Sequence, residues 1–136
     1  MSRQITELVI PTSTTDLRVM TTHLEFFSEK QQLAQIKRIR EIHEEASCQY
    51  HNPGKDMPGP PFELVKRAEK TVICGDFNIS PDSTSYRKMT ASFLEKNMDR
   101  VDAWRTKQKG TSPPQHAVFL IINSGKKGPI AEIIFS

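Results

Sequence analysis

The run KTVICGDF, residues 70–77, constrains the fold of this chain more than any other segment. It is apolar and β-branched and lacks clean alternation, the pattern of a strand buried within an α/β sheet. The flanking sequence supplies the other parts of such a sheet. ITELVIP and DLRVMTTHLEF read as two strands joined by the polar turn TSTTD. In the second strand Leu17, Val19 and Thr21 fall on one face, Arg18, Met20 and Thr22 on the other, and His23 at the end.

The period then changes. SEKQQLAQIKRIREIHEEA places Leu33, Ile36, Ile39, Ile42 and Ala46 at spacings of three and four, which predicts an amphipathic helix. Ser28 followed by Gln31 is a capping-box signature at its start. NPGKDMPGPPFE, rich in proline and glycine, reads as a loop. After the central strand, SPDSTSYRKMTASFLEKN opens with start signals, either Ser80-Pro81 or Asp82-Ser83, and puts Tyr86, Met89 and Phe93 on one face. MDRVDAWRTKQKGTSPP reads as a strand end and a basic loop; HAVFLIIN and PIAEIIFS read as two further strands around SGKKG. The order ββ-α-loop-β-α-ββ predicts one α/β domain over residues 1–136.

Composition excludes several classes. Hydrophobic residues make up 36% and charged residues 26% of the 136, as in globular rather than disordered chains. No apolar run approaches the ~20 residues of a membrane span, and the apolar part of MSRQITELVIP is too short for a signal peptide, so a cytoplasmic location is the default. Cys48 and Cys74 suggest no disulfide framework, and Cys74 reads as a small buried residue. A net charge of +3 tolerates an anionic substrate without demonstrating one.

Candidate chemistry sits where the central strand runs out. Asp76 and Asn78 are two apart, so in extended backbone their side chains share a face. A carboxylate binds hard cations or accepts a proton from water, and an amide donates to an anionic oxygen without adding repulsion. Aspartate and asparagine after a strand are equally ordinary turn residues. His23 ends another strand and suits a phosphate oxygen, or a purely structural role. His43, near the charged face of the helix, His51 and His116 are weaker candidates, and no histidine pair has zinc-site spacing.

Taken in order, RVMTTHLE, QQLAQIKRIREI, VICGDFNISPDSTSY and VDAWR resemble the endonuclease/exonuclease/phosphatase superfamily of metal-dependent phosphoesterases. The resemblance implies a partial deoxyribonuclease-like α/β sandwich, one mixed β-sheet with two main helices on one face. It implies a Mg2+- or Mn2+-dependent hydrolase acting on a phosphoester, with nucleic acid and phospholipid among the family's substrates. By the same resemblance, Asp76 orients or deprotonates water and touches the metal, and Asn78 and His23 contact the phosphate. Glu132 stands where the family has an aspartate supporting a catalytic histidine. Asp102 and Trp104 match structural positions near the site, while Ser83 and Tyr86 fit a helix cap and its packing face.

The family's first sheet, with its metal-binding glutamate, and its final Ser-Asp-His strand have no match here. The chain therefore reads as the second half of the domain without its last strand, from a truncated product or a longer protein. On this reading the 136-residue chain alone is inactive, and its open sheet face pairs with a second copy, as a homodimer, or with the missing half. Two alternatives stand beside the hydrolase. One is a non-catalytic interaction or self-associating module; the other is a basic nucleic-acid binder using RTKQKG and SGKKG, which lack stacking aromatics.

Overall fold

The computed structural model of the chain describes residues 3–55, 59, 67–93, 98–102 and 120–124, the last two segments by their backbone alone. Along these residues run β1 (Ile5–Ile10), β2 (Leu17–His23), α1 (Glu29–His51), β3 (Lys70–Asp76), α2 (Thr84–Thr90), β4 (Met98–Asp102) and β5 (Leu120–Ser124). The strands form one mixed sheet in the order β1-β2-β3-β5-β4. β1 and β2 are an antiparallel hairpin, β2 and β3 are parallel, and β5 runs antiparallel to both β3 and β4. The parallel pair is joined through α1, since two parallel strands need a crossover that a tight turn cannot provide. The fold is thus α/β, as the change of period implies.

Both helices lie on one face of the sheet. Met20 and Ile73, register partners on β2 and β3, share a core with Ile36 and Ile39 of α1 and Tyr86 and Met89 of α2. Leu24, Phe77 and Ile79 close that core at the strand ends. Each such side chain fully withdrawn from water contributes about 1.5–3 kcal/mol before the cost of ordering the chain.

α1 starts where expected. Ser28 is its N-cap, with Oγ accepting from the Gln31 amide at 3.3 Å. The helix runs on to His51, five residues beyond the predicted end at Ala46. Ala46 is its last buried position, so periodicity registers only the part that packs. Asn52, which precedes Pro53, ends the helix, because the α conformation is disfavoured before proline. The buried stripe also differs from the predicted one: Gln32 and His43 are buried, while Leu33 and Ile42 are only partly so.

β3 corrects the expectation of burial on both faces. Thr71 and Ile73 are buried under the helices; Val72, Cys74 and Asp76 face the other way and are only half-buried. Cys74 is thus not a core residue, and neither cysteine is in a disulfide. The outward face continues through Leu17 and Val19 to Leu8 and Ile10, which are 46% and 43% exposed.

Under the helices, the face Arg18-Met20-Thr22 carries an arginine with 0% exposure. Its Nε donates to Thr71 Oγ1 at 3.0 Å, Nη2 bonds His43 Nδ1, and Nη1 lies 3.5 Å from Glu7 Oε2. A guanidinium only donates, so His43 Nδ1 is the acceptor and the ring proton sits on Nε2. Burial lowers the Arg18 pKa from its usual range, and the Glu7 carboxylate opposes that shift.

Candidate functional site

Parallel pairing determines where the candidate residues meet. His23 and Asp76 are register partners at the carboxyl ends of β2 and β3, the end of a parallel sheet at which functional groups gather. Both belong to the outward face, and their side chains remain 56% and 41% exposed. His23 Nε2 lies 3.9 Å from Asp76 Oδ2, longer than a direct hydrogen bond.

Gly75 makes this close pairing possible. Its φ of +144° is one that side-chain-bearing residues rarely adopt, and a Cβ there would sit 1.9 Å from the Thr22 carbonyl oxygen. Beyond it, the Leu24 amide donates to the Asp76 carbonyl at 2.9 Å and extends the β2–β3 contact one step past the strands.

Asp76 and Asn78 do not share an extended face. β3 ends at Asp76, and Asn78 adopts a φ of +48°, a left-handed conformation that asparagine tolerates. Its amide N–H donates to Asp76 Oδ1 at 3.0 Å, and its Nδ2 donates to the Leu24 carbonyl at 3.0 Å. The turn reading of this pair therefore describes the backbone. It also fixes Asp76: one carboxylate oxygen is held by the turn while the other faces His23. Nδ2 carries two hydrogens, so one bond to Leu24 leaves it capacity for a second acceptor.

Two residues that hold this end of the sheet were not among the sequence candidates. Gln32 Nε2 lies within hydrogen-bonding distance of the carbonyls of Glu25 (3.0 Å), Phe77 (3.2 Å) and Asn78 (2.9 Å), and its Oε1 accepts from Ser85 Oγ at 2.6 Å. One buried side chain thus joins the β2–α1 loop, the β3–α2 loop and α2. Glu25 organises the first of these loops: its Oε1 accepts the amides of Phe26 (3.1 Å) and Phe27 (3.0 Å). The Phe27 amide leads in lowering the Glu25 pKa, helped by the Phe26 amide and Arg3 against the opposing effect of burial. A signal for Gln32 existed in the sequence: stepping back four residues from Ile36 along the buried stripe lands on it.

The remaining candidates are placed as follows. Ser83 caps α2, its Oγ accepting from the Tyr86 amide at 3.1 Å, and Tyr86 packs in the core. Asp102 ends β4, of which only the backbone is described. Glu132, Trp104, His116, the strand PIAEIIFS and the basic segment RTKQKG lie outside the described residues, as does SGKKG apart from Ser124.

Among the described residues, no group of three or more His, Cys, Asp or Glu side chains comes together to hold a metal. Asp76 supplies an accessible carboxylate. That donor fits a cation such as Mg2+, which keeps several waters and takes one or two carboxylates. Two surface depressions of about 540 and 590 Å³ lie elsewhere, along β1 and between α1 and α2, and neither is lined by His23, Asp76 or Asn78. Among the described residues, the candidate site is a solvent-accessible strand end. No described helix is long and apolar enough to cross a membrane.

No protein-family model and no curated protein matches the chain. Among solved structures, a crystal structure of humanized D. rerio TDP2 by 14 mutations is similar at 17% identity and a TM-score of 0.49. The match covers 93% of this chain and 47% of that one, so the chain spans about half the length of that structure.

Proposed function

We propose that the strand end formed by His23, Asp76 and Asn78 is the phosphate-binding part of a Mg2+- or Mn2+-dependent phosphoester hydrolase. The observation that carries this reading is the register pairing of His23 with Asp76, an accessible imidazole 3.9 Å from an accessible carboxylate at the carboxyl end of two parallel strands. The order of RVMTTHLE, VICGDFNISPDSTSY and VDAWR along the chain supports it.

In this mechanism a water attacks phosphorus as the ester P–O bond breaks. Asp76 orients that water and takes its proton, and the leaving oxygen gains a proton from solvent. The His23 imidazole N–H and the remaining hydrogen of Asn78 Nδ2 donate to the non-bridging oxygens, where negative charge develops. Asp76 would hold the metal, which when bound supplies Lewis-acid stabilisation of the phosphoryl oxygens. One carboxylate does not fill a cation's coordination shell, so the reading takes further ligands or waters beside Asp76. By the resemblance, whose metal-binding glutamate has no match in this sequence, residues 1–136 alone turn over little. Glu132, as a support for a catalytic histidine, remains part of the proposal.

The test is hydrolysis of bis(4-nitrophenyl) phosphate with Mn2+. Any preparation of the protein that turns over this diester is expected to lose at least about 100-fold in rate on Asp76→Ala, the lower end of what a positioned proton acceptor supplies. An unchanged rate would remove Asp76 from the mechanism.

A further inference from the structure

Phe26 and Phe27 are 60% and 90% exposed, the most exposed of the large hydrophobic residues described. Exposed phenylalanines side by side call for a reason, since apolar rings left in water forgo the favourable burial of their surface. They immediately follow the strand end that carries His23. Phe26 is three residues beyond His23, so the two Cα atoms are at most about 11 Å apart.

The loop that carries these rings is fixed. One Glu25 oxygen accepts both phenylalanine amides, Gln35 Oε1 accepts the Glu25 amide at 2.8 Å, and Gln32 holds the Glu25 carbonyl. The rings are edge to face, with centroids 5.1 Å apart and planes at 82°. A planar ligand stacked on one ring would meet the other edge to face, and aromatic pairs favour both arrangements.

We propose that Phe26 and Phe27 form a stacking platform for an unpaired nucleobase next to the phosphodiester held at His23 and Asp76. This rests on the phosphoester reading of that site and adds to it a substrate, a single strand or frayed end, and the residues that select it. A base within a duplex has both faces stacked and offers none to a ring, whereas an unpaired base offers its π-face whatever its identity. A bilayer is the poorer occupant. Two rings on one short loop, outside any amphipathic helix and without the cluster of Lys and Arg that recruits a protein to a lipid surface, are a weak membrane anchor.

The test is fluorescence anisotropy of the whole chain with a labelled thymidine hexanucleotide, with and without its complementary strand. Single-strand binding is expected to weaken about 5- to 150-fold in Phe27→Ala, the span of one lost base stack of ~1–3 kcal/mol. Phe27→Leu should behave like Phe27→Ala, and the duplex should bind more weakly than the single strand. Unfolding midpoints should match wild type, since the Phe27 side chain is on the surface. Wild-type affinity in Phe27→Ala, full binding by Phe27→Leu, a preference for duplex, or no oligonucleotide binding at all would overturn the platform. So would loss of binding to phosphatidylserine/phosphatidylcholine vesicles, in place of the oligonucleotide, on Phe27→Ala. Failure of the phosphoester reading shows separately, as diester hydrolysis indifferent to Asp76→Ala.

Discussion

Glu25 and Gln32 show how single side chains set the geometry of the candidate site. The folded pKa of Glu25 lies below its unfolded value, so its contribution to stability is present above the unfolded pKa. It is lost as pH falls through the folded pKa, below the ordinary glutamate value of about 4.3. The amides of Phe26 and Phe27 should therefore lose hydrogen-exchange protection in that acid range. Glu25→Gln, which keeps an acceptor and has no charge to titrate, should remove the pH dependence. Gln32→Leu would leave Ser85 and the carbonyls of Glu25, Phe77 and Asn78 without their shared partner. An unsatisfied buried polar group costs about 1–3 kcal/mol, and chemical denaturation is expected to read a loss of at least that size. Glu25 does not stand out in the sequence, and the stripe spacing that points to Gln32 does not say what it bonds; the partners of both lie on loops that only the fold brings together.

The elements were more legible than the contacts between them. Strand, helix and cap positions followed from period and capping chemistry, as at Ser28 and at Ser83, one of the two predicted starts of α2. The face shared by Arg18, Met20 and Thr22 was also correctly grouped, because a strand's period is two. Three features escaped. α2 stops at Thr90, short of Phe93, which the helical period places on one face with Tyr86 and Met89. The last turn of α1 packs on nothing periodic, and the run TVIC reads as buried twice over although the helices cover one face only. Gly75 is the position at which two elements depend on one residue. Gly75→Ala would drive a methyl group into the Thr22 carbonyl in a backbone conformation hostile to side chains. Its cost should be well over about 1 kcal/mol, read in thermal unfolding, with β2 and β3 pushed apart where His23 and Asp76 meet.

Across the whole molecule, the helix-covered side of the sheet is organised around a charge. Arg18 is fully buried, with Glu7, Thr71 and His43 as its partners from β1, β3 and α1. Removing its countercharge leaves a buried cation poorly compensated, so Glu7→Gln is expected to destabilise the fold by about 3–5 kcal/mol. Arg18→Met with Glu7→Gln should recover part of that loss, since no cation is then left buried beside the amide, while Arg67, 3.3 Å from Glu7, loses its partner in both variants. Urea denaturation of the single and double variants checks both. A sequence reading assigns Arg18 a face and cannot assign it a partner, because the partners come from three distant segments.

The opposite face ends at His23 and Asp76, and the account depends on that pair binding metal and phosphate together. Electron paramagnetic resonance of Mn2+ added to the chain, with and without a non-hydrolysable aryl phosphonate, tests this most directly. The account predicts Mn2+ bound at one site and held more tightly with the phosphonate, binding lost in Asp76→Ala, and the phosphonate effect weakened in His23→Ala and Asn78→Ala. Mn2+ binding, or its strengthening by the phosphonate, that is equal in wild type and Asp76→Ala would contradict it.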